Sequence, residues 1–414
     1  MNINIPITGL ILVITHHVGI AQKQNINLTI EEAVNYGLKN NLQVLTAKKE
    51  VAAAKGYAIT TLDIKNPRIS GELAEIPAGS GLGAYHERTI KISQSIDFPT
   101  NYFHKKKLGD LNVERARIHL RKTKLEVRTE LKKAYYRLLA MQEKLSLVKK
   151  HIGLAEDFLK KARLRHQTGK VPVLEVSRAR LALAEVENEL SAVRADYLSA
   201  RENLDALLAL PDDQSAGAAD SLTYKLLNLD VISLKQQALQ DHPSLLVVEL
   251  THKMARQDMK LARGGYLPNI KGSWFSQKIG GEPFRGLEVG LSIPLWAPVN
   301  QRGQVMQSKG QLQAAQYRLE DEKIMLIANI NSAYSQYNAA GEQVEKYLDN
   351  LLEQAQDVYR MTFRSYEEGK VGYLKVLDAQ ESLIAVNKKY IDALANYKIR
   401  VAELEQATNQ RLEQ

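Results

Sequence analysis

The sequence predicts a mainly α-helical chain with a smaller β part, built as two tandem repeats of a β-hairpin followed by long coiled-coil helices. Three observations predict it. The chain repeats itself at an offset near 200 residues, and each copy holds a pair of extended segments around a Gly/Pro turn. Apolar residues then recur every seven positions over stretches far too long for a globule. Composition agrees: 25% of residues are charged and 6% aromatic, while Ala, Leu, Glu, Lys, Gln and Arg dominate the second and last thirds.

The first element reads as a leader. Ile3 to Ile14 is apolar but too short to span a bilayer. Gly19 and Ala21 suit cleavage after Ala21, so residues 1–21 are expected to be an export signal. Only the amino terminus supplies positive charge before the apolar stretch, and a buried N-terminal strand is the alternative. No later segment reaches the length of a transmembrane helix. With no cysteine there is no disulfide framework, no thiolate nucleophile and no lipid-accepting thiol.

Repeat 1 is expected over 22–210, a polar linker over 211–230 and repeat 2 over 231–414. Asn66-Pro67-Arg68-Ile69-Ser70-Gly71 corresponds to Leu267-Pro268-Asn269-Ile270-Lys271-Gly272, at an offset of 201. Ser95-Ile96 corresponds to Ser292-Ile293 and Ala134-Tyr135 to Ala333-Tyr334. Gly169-Lys170-Val171 corresponds to Gly369-Lys370-Val371 at an offset of 200. Leu38-Lys39-Asn40-Asn41 aligns with Leu239-Gln240-Asp241-His242.

Each copy opens with an amphipathic helix, at about 29–62 and 231–263. Strands follow at about 66–76 and 88–98, and at about 268–279 and 286–295. Pro77, Gly79, Gly81 and Gly83 mark the first turn, and Gly280-Gly281 with Pro283 the second. Ile90, Ile92, Ile96 and Phe98 alternate with polar residues, as do Val289, Leu291, Ile293 and Leu295. Strands of this length with one apolar face suit a membrane barrel. They equally suit a hairpin covering a soluble core, and the strands alone do not decide.

Long helices are expected at about 100–208 and 300–411. Val113, Leu120, Val127, Ala134 and Met141 form a heptad seam, matched by Leu312, Leu319, Leu326, Ala333 and Ala340. The returning segments carry Val176, Leu183, Leu190, Tyr197 and Leu204, matched by Val376, Leu383, Tyr390, Tyr397 and Leu404. Such seams pack against partner helices with left-handed supercoiling. Four strands cannot close a barrel, and an open edge in lipid leaves backbone groups unsatisfied. Three chains supply twelve strands and twelve helical passes, enough to close a transmembrane β-barrel and an α-helical tube.

The order of hairpin, helix out, Gly-Lys-Val corner and helix back, repeated after an export signal, resembles the TolC-type outer-membrane efflux family. The marks are Arg165-His166-Gln167-Thr168-Gly169-Lys170-Val171, its counterpart from Arg364 to Val371, and Val376-Leu377-Asp378-Ala379-Gln380. The resemblance implies a homotrimer with a 12-stranded barrel in outer-membrane lipid, a trimeric α-barrel in the periplasm, and the heavy-metal efflux branch as one home for the chain. It further implies a periplasmic adaptor and an inner-membrane pump as partners. In that family the corners meet the adaptor, which places Thr168, Gly169, Lys170, Val171, Glu368, Gly369, Lys370 and Val371 at the contact. The family's gate maps onto Glu175, Tyr366, Lys375 and Asp378. Lys375 stands where the archetype has the first of two Asp rings, and Val371 stands where it has an arginine.

No catalytic residue, metal-ligand spacing or cofactor loop is found, and no cofactor is expected. Gly79-Ser80-Gly81-Leu82-Gly83 precedes a strand and reads as a turn. The basic run from Lys105 to Lys122 is followed closely by acids on the same helix, so a solvated face is expected and no nucleic-acid partner. A periplasmic adaptor or a structural coiled-coil protein of the cell envelope is the alternative function. The cargo, whether metal cation, drug or other solute, is not written in the residues.

Overall fold

The computed structural model describes residues 24–413. The expected signal at 1–21 lies outside the described residues. In chain order the first copy runs β1 (Gln24–Leu28), α1 (Ile30–Asn40), α2 (Leu42–Thr60), β2 (Arg68–Ala74), β3 (Glu87–Ile96), α3 (Pro99–Gln167) and α4 (Val173–Leu208). After β4 (Gln214–Ala218) the second copy follows with α5 (Val231–Asp241), α6 (Pro243–Gly264), β5 (Asn269–Ile279), β6 (Glu282–Ser292), α7 (Ala297–Lys346), α8 (Leu352–Glu367) and α9 (Tyr373–Thr408). α3 alone has 69 residues, roughly 100 Å of helix.

The opening helix of each copy is two helices, not one, and the break has one cause in both. Asn41 leaves helical geometry, and its Oδ1 accepts from the Gln43 and Val44 amides that begin α2. Its Nδ2 donates to Leu207 O at the end of α4. At the matching place His242 caps α6, followed by Pro243 at the first helical position. Its Nε2 donates to Gln406 O at 3.0 Å near the end of α9. That bond leaves Nδ1 as the acceptor, facing the Ser244 hydroxyl and amide.

An amide and an imidazole therefore do the same job, but only the imidazole titrates. Burial lowers the pKa of His242 below its ordinary 6.5, against the raising effect of the Gln406 carbonyl. Burial lowers His151 likewise. For a group depressed in the folded state, stability is complete above the unfolded pKa and declines as pH falls through the folded one. The thermal midpoint should therefore drop between about pH 7.5 and about pH 5.5, with His242→Asn showing a smaller drop than the parent. An equal drop in the variant would remove His242 from the account.

The segment expected as a linker is part of the core. Within 211–230, β4 pairs in parallel with β1, from Gln24 opposite Gln214 to Leu28 opposite Ala218. Asp205 accepts from the Ala216 amide at 2.6 Å. The Tyr135 hydroxyl lies 2.8 Å from Leu28 O and 2.7 Å from Asp220 Oδ2, and it accepts from the Asp220 amide. Tyr397 donates to Lys225 O at 2.6 Å, and Tyr224 donates to Glu345 at 2.8 Å. Tyrosines whose rings lie in the main apolar cluster thus tie this belt around the middle of the helices.

The second copy carries one residue more in its rising helix than the first. The heptad seams match at an offset of 199 up to Met141 and Ala340, while the corners match at 200. Between these points, Tyr347–Leu351 forms a single π-helical turn joining α7 to α8. Its i→i+5 bonding accommodates the additional residue, so the helix below keeps the phase that α3 has without any bulge.

β2, β3, β5 and β6 form one antiparallel sheet in that order. The second turn is tighter than expected: Gly280 and Gly281, at φ +55° and +100°, form it, and Pro283 lies in β6. β6 accordingly spans 282–292 rather than 286–295. Register sorts the side chains. Ile69 lies opposite Ile92, which lies opposite Trp274, which lies opposite Leu287, on a face that also holds Ile90, Val289 and Leu291. The other face carries Ser70, Glu72, Lys91, Ser273 and Glu288, with Lys91 and Glu288 paired.

Leu287 and Val289 are each 81% exposed and Ile69 73% exposed in the protomer, so no protein covers the apolar face. An apolar outer face, a charged inner face and two free edges describe a barrel wall, not a hairpin laid on a soluble core. Among the described residues no helix is long and apolar enough to cross a membrane.

Candidate functional site

The corners lie at the far ends of the long helices from the sheet. Both close as the same motif. Gly169 (φ +69°) sends its amide to His166 O and Lys170 sends its amide to Arg165 O. Gly369 (φ +77°) and Lys370 repeat the pattern onto Tyr366 O and Ser365 O. These paired bonds satisfy the terminal carbonyls of a helix and need a left-handed residue, the reason for glycine at both places. Thr168 Oγ1 donates to the carbonyls of Leu164 and Arg165, and His166 Nδ1 donates to Val171 O. Lys370 pairs with Glu368 at 2.7 Å. Thr168, Gly169, Lys170, Glu368, Gly369 and Lys370 are exposed, and Val171 and Val371 half-buried. Pro172 and Gly372, both extended, then lead into α4 and α9.

Behind the corners a small core joins the two copies: Phe158, Leu159, Ala162, Val176, Ala179, Tyr366, Tyr373 and Val376. Phe158 stacks on Tyr373 at 4.3 Å and lies 5.3 Å from Tyr366. The Arg165 guanidinium sits over the Tyr366 ring, 4.5 Å from its centroid. The Tyr366 hydroxyl and Glu175 Oε1 are both buried, and neither completes a hydrogen bond of good geometry. Burial, followed by the neighbouring Glu175 carboxylate, pushes the Tyr366 hydroxyl up in pKa, while Arg165 opposes the shift. Burial pushes Tyr373 up to about 12.

Of the four gate positions, Glu175 and Tyr366 are brought together here and Lys375 and Asp378 are not. The latter two lie three residues apart on one exposed face at the start of α9. Arg165 was legible only as part of a corner motif. Its position over the Tyr366 ring depends on how α3 and α8 lie against each other, which spacing along one helix does not reveal. Nothing in this arrangement pairs a nucleophile with a base, and among the described residues no cluster of His, Asp and Glu could hold a metal ion.

The chain matches the family described as "Outer membrane efflux protein" over residues 33–210 and 234–410, two segments separated by the β4 belt. It is 24% identical to the cobalt-zinc-cadmium resistance protein CzcC of Cupriavidus metallidurans, across 89% of this chain and 86% of that protein. It is also 24% identical to the pyoverdine export outer membrane protein OpmQ of Pseudomonas putida, but across 66% of this chain and only 59% of that protein. A crystal structure of CusC superposes with a TM-score of 0.77 over 92% of each chain at 16% identity, a likeness of fold.

Proposed function

The chain belongs to the outer membrane efflux protein family, and on that premise we propose that it forms a homotrimeric duct for metal cations, gated at the helical corners. As a member it is the outer-membrane channel of a tripartite efflux system, working with an adaptor and an inner-membrane pump, and it is a transport protein rather than an enzyme. Its sheet lies in the outer membrane and its long helices in the periplasm.

The trimer follows from closure. β2 and β6 are the free edges and run antiparallel, so β6 of one protomer can pair with β2 of the next in the ladder already present within each chain. Twelve strands then leave no edge in lipid.

The observation that carries the metal cargo is the extent of the CzcC alignment, which spans most of both proteins where the pyoverdine exporter aligns over little more than half its length. Disrupting the gene should lower tolerance to cobalt, zinc and cadmium salts, and re-expression should restore it. Unchanged metal tolerance with lost tolerance to organic toxins would overturn the cargo and leave the duct standing.

The exposed corners, Thr168–Val171 and Glu368–Val371, are the proposed adaptor contacts. Tyr366, Glu175 and Arg165 hold the two copies together behind them, with Arg165 supplying the guanidinium that Val371 does not. Each contact of this kind contributes about 0.5–2 kcal/mol, and a trimer holds three. Arg165→Gln should raise the resting conductance of the reconstituted channel severalfold. A resting conductance equal to the parent's would contradict the lock.

A further inference from the structure

Charge is sorted between the two faces of the sheet more sharply than a pore wall requires. By register, all four strand carboxylates, Glu72, Glu87, Glu282 and Glu288, lie on the inner face. The outer face carries three charged strand residues, Arg88, Lys278 and Arg285, and all are cationic and exposed. They cluster at the turn end. Arg88 lies directly opposite Lys278. Arg285 lies opposite Ser276 on the next strand, one diagonal step from Lys278.

Like charges directly opposite each other destabilise a sheet unless a counter-charge joins them. On the inner face Lys91 has Glu288. For the outer three no carboxylate stands within ion-pair distance among the described residues, whereas at the sheet's other end Lys65 and Lys105 both pair with Asp97.

We propose that Arg88, Lys278 and Arg285 form a binding site for the phosphate group of an outer-leaflet lipid, present three times around the barrel. Depth and direction support this occupant. The helices leave the sheet from the opposite end and lie in the periplasm, so the turns face outward. From Ile96 to Arg88 is eight residues, about 26 Å along the strand. With strands tilted about 35–45°, that length spans roughly 20 Å of height, which carries Arg88 and Lys278 toward the outer margin of an apolar band about 25 Å tall, with Arg285 two residues deeper and its long side chain directed to the same margin. Arginine presents a planar fork that matches phosphate oxygens, and lysine adds a point charge. Their aliphatic stems lie along the apolar band while the charged heads reach the headgroup layer.

The test uses the detergent-purified full-length protein in its assembled form. Native mass spectrometry would count retained lipid after titration with diphosphorylated lipid A, with the same lipid lacking phosphates, and with inorganic phosphate as competitor. The expected result is saturable binding of the phosphorylated lipid, weak binding of the dephosphorylated one and little competition by free phosphate. The triple variant Arg88→Gln, Lys278→Gln, Arg285→Gln should bind about a hundredfold more weakly, at roughly fivefold per cation removed. Lys91→Gln on the inner face should bind as the parent does. If the triple variant does not assemble, Arg285→Gln alone should show the loss of about one cation's share. Equal binding of the two lipids by the parent protein, or equal binding by parent and variants, would overturn the site. Full competition by free phosphate would reduce it to a generic anion patch and overturn the lipid assignment.

Discussion

Deleting Asp349 from the π-helical turn should leave an assembled, conducting protein, whereas deleting Lys149 from α3 should abolish assembly. The two deletions remove exposed residues from comparable places in the two copies. In α3 the loss rotates everything below by about 100° and shifts it by about 1.5 Å. Phe158, Leu159 and Ala162 would then leave the core that joins the corners. Losing the packing of a buried Phe costs about 3–5 kcal/mol, and three such cores fail at once in a trimer. In the second copy the deletion converts an i→i+5 turn to α-helix, and the offset to the first copy becomes 199 from the rising heptad seam through the corner and the returning seam. Size-exclusion chromatography and heat-resistant migration on gels distinguish the outcomes. Equal damage from both deletions would mean that the π turn is not the place where the additional residue is absorbed.

Lys375→Asp should convert a weakly cation-blocked channel into a tightly blocked one. In the proposed trimer three Lys375 and three Asp378 side chains ring the constriction, each pair three residues apart on one face of α9. The substitution changes that ring from mixed charge to six carboxylates. For a trivalent cation within a Debye length, a change of this size strengthens binding on the order of a hundredfold or more after screening. Single-channel recording with hexamminecobalt reads it directly. Tight block of the parent channel would contradict the mixed-charge constriction, and an unblocked variant would remove α9's first turn from the pore.

Much of this architecture was legible before any coordinates, and the rest was hidden for identifiable reasons. The repeat, the hairpins and the heptad seams are written in periodicity, because a barrel strand and a coiled coil must each keep one face apolar. The corner glycines are written in residue type, because the left-handed conformation selects them. The breaks at Asn41 and His242 were not legible, since the apolar period continues across each break and the cause is a bond to a helix more than 160 residues away. β1 and β4 escaped because a five-residue parallel pair, Gln24–Leu28 with Gln214–Ala218, needs no alternation when tyrosine hydroxyls and Asp205 satisfy its surroundings. The π turn shows in sequence only as a change of offset from 199 to 200. At the candidate gate, Glu175 and Tyr366 came from family likeness, whereas Arg165 needed the packing of one copy against the other.

The central claim is that β6 of each protomer pairs with β2 of the next to close one barrel from three chains. The chain has no cysteine, so introduced thiols report without background. Ser70→Cys on β2, combined in turn with cysteine at Gly286, Glu288 or Gly290 on β6, tests neighbours on the inner face. After oxidation of the membrane-embedded protein, at least one combination should give a ladder on non-reducing gels that ends at the trimer. A ladder continuing past three chains, or monomer in every combination, would contradict the closed twelve-stranded barrel.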